Sequence, residues 1–99
     1  MNSIAAIASS GMNTALLGAS AAAHNIANLQ TPDVHRLRVE QQAQPGGGVS
    51  AVVERSPQPG DALAEDVVRQ LMSSHLFKAN LSVFRTHDAM VGVLLDVEA

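Results

Sequence analysis

Apolar residues between Asp61 and Glu98 recur on two adjacent helical stripes. One stripe is Met72, Leu76, Ala79, Val83, Thr86, Met90, Val93 and Val97, and the other is Phe77, Leu81, Phe84, Asp88, Val91 and Leu95, with steps alternating four and three. That alternation keeps side chains on one face of a helix packed lengthwise against another helix. The stretch holds no proline and a single glycine, Gly92. It therefore predicts one helix roughly 55 Å long at 1.5 Å per residue. Asp61 is its expected N-cap, and Glu65 and Asp66 suit the positive end of the helix dipole. Glu65 with Arg69, and Arg85 with Asp88, are expected surface pairs. A face that long cannot bury itself. It needs a partner.

The same period marks the start of the chain. Asn2 or Ser3 can cap a helix running to about Asn28, with Met1, Ala5, Ala8, Met12, Ala15, Ala19, Ala22, Ile26 and Leu29 in one heptad register. Ile4, Leu16 and Ala23 widen the face, while Gly11 and Gly18 sit seven apart where another backbone can come close. Each glycine costs about 1 kcal/mol of helix propensity relative to alanine, so such a helix is stabilised mainly by packing. Pro32 removes an amide donor and turns Thr31 out of the helical region. The period then changes to two, with Leu37 and Val39 alternating with Arg36, Arg38 and Glu40. Pro45-Gly46-Gly47-Gly48 reads as a turn, and Val49, Ala51 and Val53 as the returning strand of a β-hairpin. Ser56-Pro57-Gln58-Pro59-Gly60 is a stiff linker.

The expected fold is mainly α: two long antiparallel helices forming a coiled-coil-like pair, with a small central β-hairpin. Residues 1–31 supply the first helix, 32–60 the hairpin and linker, and 61–99 the second helix, together one domain. The helix-packing seam is assigned to Ala8, Met12, Ala15, Ala19 and Ala22 on the first helix. On the second it is assigned to Leu76, Leu81, Val83, Phe84, Met90 and Leu95. Ala8, Ala15, Ala19 and Ala22 are expected to face Leu76, Val83, Met90 and their neighbours, within the chain or between subunits.

Composition narrows the function classes. Of 99 residues 46% are apolar, yet there is no Trp, Tyr or Cys, and Phe77 and Phe84 are the only aromatics, so the core must be thin. The formal net charge of −3 leaves no basic field for nucleic acid. Met1 to Pro32 carries no Asp, Glu, Lys or Arg. The stretch lacks the basic n-region of a secretory signal, although Gly18-Ala19-Ser20-Ala21-Ala22-Ala23 resembles a cleavage site. Asn13, Asn25 and Asn28 interrupt it as a transmembrane span.

Candidate chemistry is sparse. His24, His35, His75 and His87 show no metal-ligand spacing, and His75 and His87 stand about 18 Å apart along one helix. Ser9-Ser10 and Ser73-Ser74 have no base placed beside them by sequence. The glycine run 46–48 lacks the lysine and helix start of a phosphate loop. No catalytic residue, cofactor, metal or small-molecule substrate is expected.

Two segments are more specific. Ala22-Ala23-His24-Asn25-Ile26-Ala27-Asn28-Leu29-Gln30-Thr31-Pro32 closely resembles the N-terminal signature of the bacterial flagellar axial proteins of rod, hook and hook-associated type. That signature is an Asn-Ile-Ala-Asn core, two variable residues, then Thr-Pro. Upstream Ser10-Gly11-Met12 and Ala15 also look like that family. At the other end, Lys78 to Met90, continuing through Val91 to Val97, resembles its C-terminal segment. With Asp61 to Leu71, the resemblance covers roughly two-thirds of the chain at both ends.

The resemblance implies terminal helices packed as a coiled-coil layer, and subunits that stack helically into an axial tube. It implies self and other rod or hook subunits as partners, and passage through the flagellar type III export apparatus without a cleaved signal, to a basal body whose rod spans the periplasm. The short middle segment looks most like a basal-body rod protein. Asn25, Ile26, Ala27, Asn28, Thr31 and Pro32 carry over as the assembly motif. The family usually follows Thr-Pro with Gly-Tyr, where this chain has Asp33-Val34. That departure keeps open a second reading, a non-flagellar helical oligomer or adaptor on the same scaffold.

Overall fold

The computed structural model describes residues 3–98, and the expectations on Met1 and Asn2 lie outside them. It is mainly helical: α1 spans Ile4–Ala27, β1 Leu37–Ala43, β2 Val49–Arg55 and α2 Leu63–Glu98. The principal extents are 62 × 24 × 14 Å, so α2 runs nearly the full length of the molecule.

Ser3 starts α1, its hydroxyl oxygen accepting from the Ala6 amide at 3.1 Å. The helix is long and apolar enough to cross a membrane by length and composition alone. Here its small-residue face is covered by α2 and the hairpin. Ala8, Ala15 and Ala22 are buried at 2–3% exposure, seven residues apart. Gly11 and Gly18 lie between them on the same stripe, and Asn25 ends it. The two helices run antiparallel, because Asn25 meets Asp66, Gly18 meets Ser73, and Gly11 meets Asn80. Each step in that pairing is seven residues on both helices.

The glycines allow this approach. A Cβ at Gly18 would stand 2.6 Å from the Ser73 hydroxyl oxygen, and one at Gly11 2.5 Å from the Asn80 amide oxygen. Gly18→Val is expected to force α2 outward and cost about 1–3 kcal/mol by overpacking. In a chain of this size that lowers Tm by roughly 4–8 °C per kcal/mol, which thermal denaturation followed by circular dichroism will read.

β1 and β2 pair antiparallel in register from Leu37 opposite Arg55 to Ala43 opposite Val49. The hairpin lies on α1: Leu37, Val39, Val49 and Ala51 are half-buried, and Arg38 and Glu54 pair across the outer face at 3.4 Å. At the tip Gly47 and Gly48 take φ of +96° and +89°. Gly48 presses against Ser10, whose hydroxyl accepts from the Val49 amide at 3.1 Å and donates to the Ile7 carbonyl at 2.7 Å. This anchors a hairpin that two strands alone could not stabilise.

Two local expectations differ. α2 begins at Leu63, not at Asp61, and Ala62 takes the capping place with its carbonyl accepting from the Asp66 amide at 2.9 Å. Asp66 turns inward, leaving Glu65 to hold Arg69 through two hydrogen bonds of 3.1 and 2.7 Å. Among the described residues no ion pair joins Arg85 to Asp88.

Candidate assembly site

Where α1 ends, the motif splits into an inward and an outward part. Asn25 is buried at 6% exposure, facing away from its own helix end. Its side-chain oxygen accepts from the Leu37 amide at 2.7 Å, and its NH2 donates to the Leu37 carbonyl at 2.8 Å. The side chain thus pairs with β1 as a neighbouring strand would. The same NH2 also donates to Asp66 Oδ1 at 3.1 Å. Arg36 closes the group, donating from Nε to Asp66 Oδ2 at 3.1 Å and from Nη2 to Oδ1 at 2.5 Å.

Three elements therefore meet at one buried carboxylate: the last turn of α1, the start of β1 and the first turn of α2. Asp66 is 1% exposed, the most buried large side chain described. A carboxylate this deep is held only when paired and hydrogen-bonded on its remaining lone pairs, a condition met here by the Arg36 fork and Asn25. The hydrogen bond to Asp66 raises the Arg36 pKa above its ordinary value, against the opposing effect of burial. Glu65 adds a longer contact to Arg36 at 3.8 Å.

Asn28 caps the helix end, as expected for an asparagine at such a site. Its amide and its side-chain NH2 both donate to the His24 carbonyl, at 3.1 and 2.9 Å. Thr31 is tied back to Asn28 through its amide at 3.0 Å and its hydroxyl at 3.2 Å. Ile26 is half-buried, and Ala27, Thr31 and Pro32 are exposed. The motif thus caps the helix, orders the exit and fastens β1 to α2.

Asp33 follows with φ +56°, in the left-handed region that glycine favours. Aspartate is among the residues that tolerate it best. Asp33→Val is therefore expected to lose about 1–2 kcal/mol, whereas Asp33→Gly is expected to leave Tm level or higher. Denaturant unfolding of both variants will separate them.

The predicted seam residues are placed on different sides. Ala8, Ala15 and Ala22 are buried, and Met12 and Ala19 are half-buried. On α2, Leu81 and Phe84 are half-buried with Phe77, on the side that also holds Ser73, Asn80 and His87. Leu76 and Val83 are 48% exposed, Met90 62% and Leu95 65%. Within one chain the alanine stripe faces Asp66, Ser73 and Asn80 with Leu76 and Met72 bordering the clefts beside it, and Val83 and Met90, further along the stripe of Met72 and Leu76, are exposed. A polar side chain every seventh residue fits against glycine and alanine where the helices come close, and leaves the larger apolar side chains for the outer surface.

Arg36 and Asp66 escaped the sequence reading because they stand 30 and 41 residues from their partners in hydrogen bonding. One local signal existed: Asn25 continues the stripe Ala8, Gly11, Ala15, Gly18, Ala22, and a polar residue there demands a buried partner. Among the described residues no group of three His, Asp or Glu is arranged to hold a metal ion. No family model matches the chain, and no curated protein matches it.

Proposed function

We propose that this chain is a structural subunit of the bacterial flagellar basal-body rod, exported through the flagellar type III apparatus without a cleaved signal. It assembles with copies of itself and with other rod or hook subunits through its two helices. The finer form of the fold belongs to the same reading: α1 and α2 act as a coiled-coil-like pair. Their facing positions, 8, 11, 15, 18, 22 and 25 on α1 and 73, 77, 80, 84 and 87 on α2, follow the three-four spacing of such a seam. The reading assigns the chain no catalytic role, cofactor, metal, nucleic acid or small-molecule substrate.

The observation that carries the proposal is the double use of apolar surface. The buried apolar residues described are all alanines, Ala8, Ala15, Ala21 and Ala22, while Met72, Leu76, Val83, Met90, Val93 and Val97 stay exposed along one stripe of α2 that Thr86 interrupts. Exposed apolar surface of that extent marks an interaction face. Its four-three period suits a helix lying lengthwise, as between subunits stacked in a tube. The left-handed backbone at Asp33 fits the scaffold that both readings share, since the residue adopts a conformation suited to the family's glycine.

The test is a deletion strain of the bacterium that encodes the chain. Loss of swimming and of assembled rods, restored by the wild-type gene, supports the proposal. Normal swimming defeats it and turns attention to the oligomer the chain forms in solution.

A further inference from the structure

The bonding of the hairpin fixes which of its backbone groups turn outward. The Ser56 amide donates to the Arg36 carbonyl at 2.7 Å and the Gln44 amide to the Gly48 carbonyl at 3.0 Å, so the even positions of β2 bond to β1. The odd positions turn their amides and carbonyls away, as alternation in an antiparallel pair requires. Two outward positions have partners on α1. Asn25 holds the amide and carbonyl of Leu37, and Ser10 accepts from the Val49 amide. α1 therefore crosses beneath the hairpin from the β1 edge at its base to the β2 edge at its tip. The base of the β2 edge is left open.

Ala51, Val53 and Arg55 form that open edge. Among the described residues no hydrogen bond reaches their outward groups. The β1 edge faces α2 across a cleft that Leu37, Val39 and Gln41 line, whereas no β2 residue lines it. The β2 edge thus lies on the far side from α2. Val52 is 61% and Val53 41% exposed there, and the strand carries neither a proline nor a bulge. An apolar edge without such devices is a template for another strand.

We propose that the β2 edges of two copies pair antiparallel, joining two hairpins into a four-stranded sheet. The edge is complementary to itself in one register. Pairing centred on Val53 sets Ala51 against Arg55 of the second copy, Val53 against Val53, and Val52 against Glu54. Each open amide then meets an open carbonyl, and no like charges stand directly opposite. Sliding the second strand to its next register sets Glu54 against Glu54 in one direction. In the other it brings Arg55 onto Val49, where Ser10 already holds the amide. A two-stranded sheet is marginal, and added strands over a covered face stabilise it. The contact is isologous and closes at two copies, whereas helical stacking needs heterologous contacts. The dimer is therefore a form of the free chain that shields the edge before any stacking, and it does not depend on the rod reading. A contact limited to residues 51–55 is small, so the dimer is a weak one.

Amide hydrogen exchange of the wild-type chain, followed by nuclear magnetic resonance at rising concentration, tests the pairing. The Ala51, Val53 and Arg55 amides are expected to exchange about tenfold more slowly at millimolar than at micromolar concentration. Val53→Pro removes an outward amide that β1 does not use, a change that edge strands tolerate. It is expected to abolish the concentration dependence at Ala51 and Arg55, while the Val52 and Glu54 amides keep the protection of β1 and show the hairpin intact. Ala51→Pro, at another outward amide, takes its place if Val53→Pro loosens the hairpin. Outward amides that exchange freely at every concentration would overturn the proposal. Protection that survives the proline but disappears with Val83→Asp would overturn it too, by showing that copies meet through α2.

Discussion

Asp66→Ala is expected to remove most of the chain's stability. The carboxylate is the shared acceptor of Arg36 and Asn25, so its loss strands a partly buried guanidinium and one side-chain NH2 proton. Removing one partner of a buried pair costs about 3–5 kcal/mol. Domains have about 5–15 kcal/mol to lose, and one whose buried apolar residues are alanines stands at the low end. Asn25→Ala removes the clamp on Leu37 but leaves the ion pair, and is expected to cost less, about 1–3 kcal/mol for the stranded Leu37 groups. Urea unfolding followed by circular dichroism will rank them: wild type, Asn25→Ala, Asp66→Ala. Asp66→Ala with wild-type stability would show that the three-element junction does not hold the fold.

The second large effect separates folding from assembly. Ala15 is 3% exposed between the helices, and Val83 is 48% exposed on the outer stripe. Ala15→Glu places an unpaired carboxylate and extra volume where the helices come closest. It is expected to abolish cooperative unfolding, because neither cost has a compensating contact. Val83→Asp meets solvent in the single chain and is expected to change its stability by about 0.5 kcal/mol or less. If the chain is the rod subunit proposed above, both are expected to block its incorporation in cells, Ala15→Glu through folding and Val83→Asp through the interface alone. A Val83→Asp chain that folds and assembles normally would remove the outer stripe from the account.

Much of the architecture was legible because each element announces itself locally. Both helices follow a heptad pattern, Pro32 and the Pro45–Gly48 turn delimit the hairpin, and Gly11 and Gly18 mark the close approach. Which stripe of α2 faces α1 was not legible from hydrophobicity, because the better apolar stripe is the exposed one. Ser73 and Asn80 pack against glycines through size, a preference invisible to apolar counting. The role of Asn25 was half legible: a polar residue that ends small-residue packing invites a partner, but Leu37, Arg36 and Asp66 come together only through the fold. Asp61, the better capping residue by type, gave way to Ala62, whose carbonyl accepts from the Asp66 amide.

The central claim is that these helices present their outer apolar surface to other subunits of a flagellar rod. Mass spectrometry of purified hook–basal bodies from the encoding bacterium, with the deletion strain as control, tests it most directly. The account predicts the chain among the basal-body proteins, and no rod in the deletion strain. Its absence from basal bodies that are complete and functional would contradict the account.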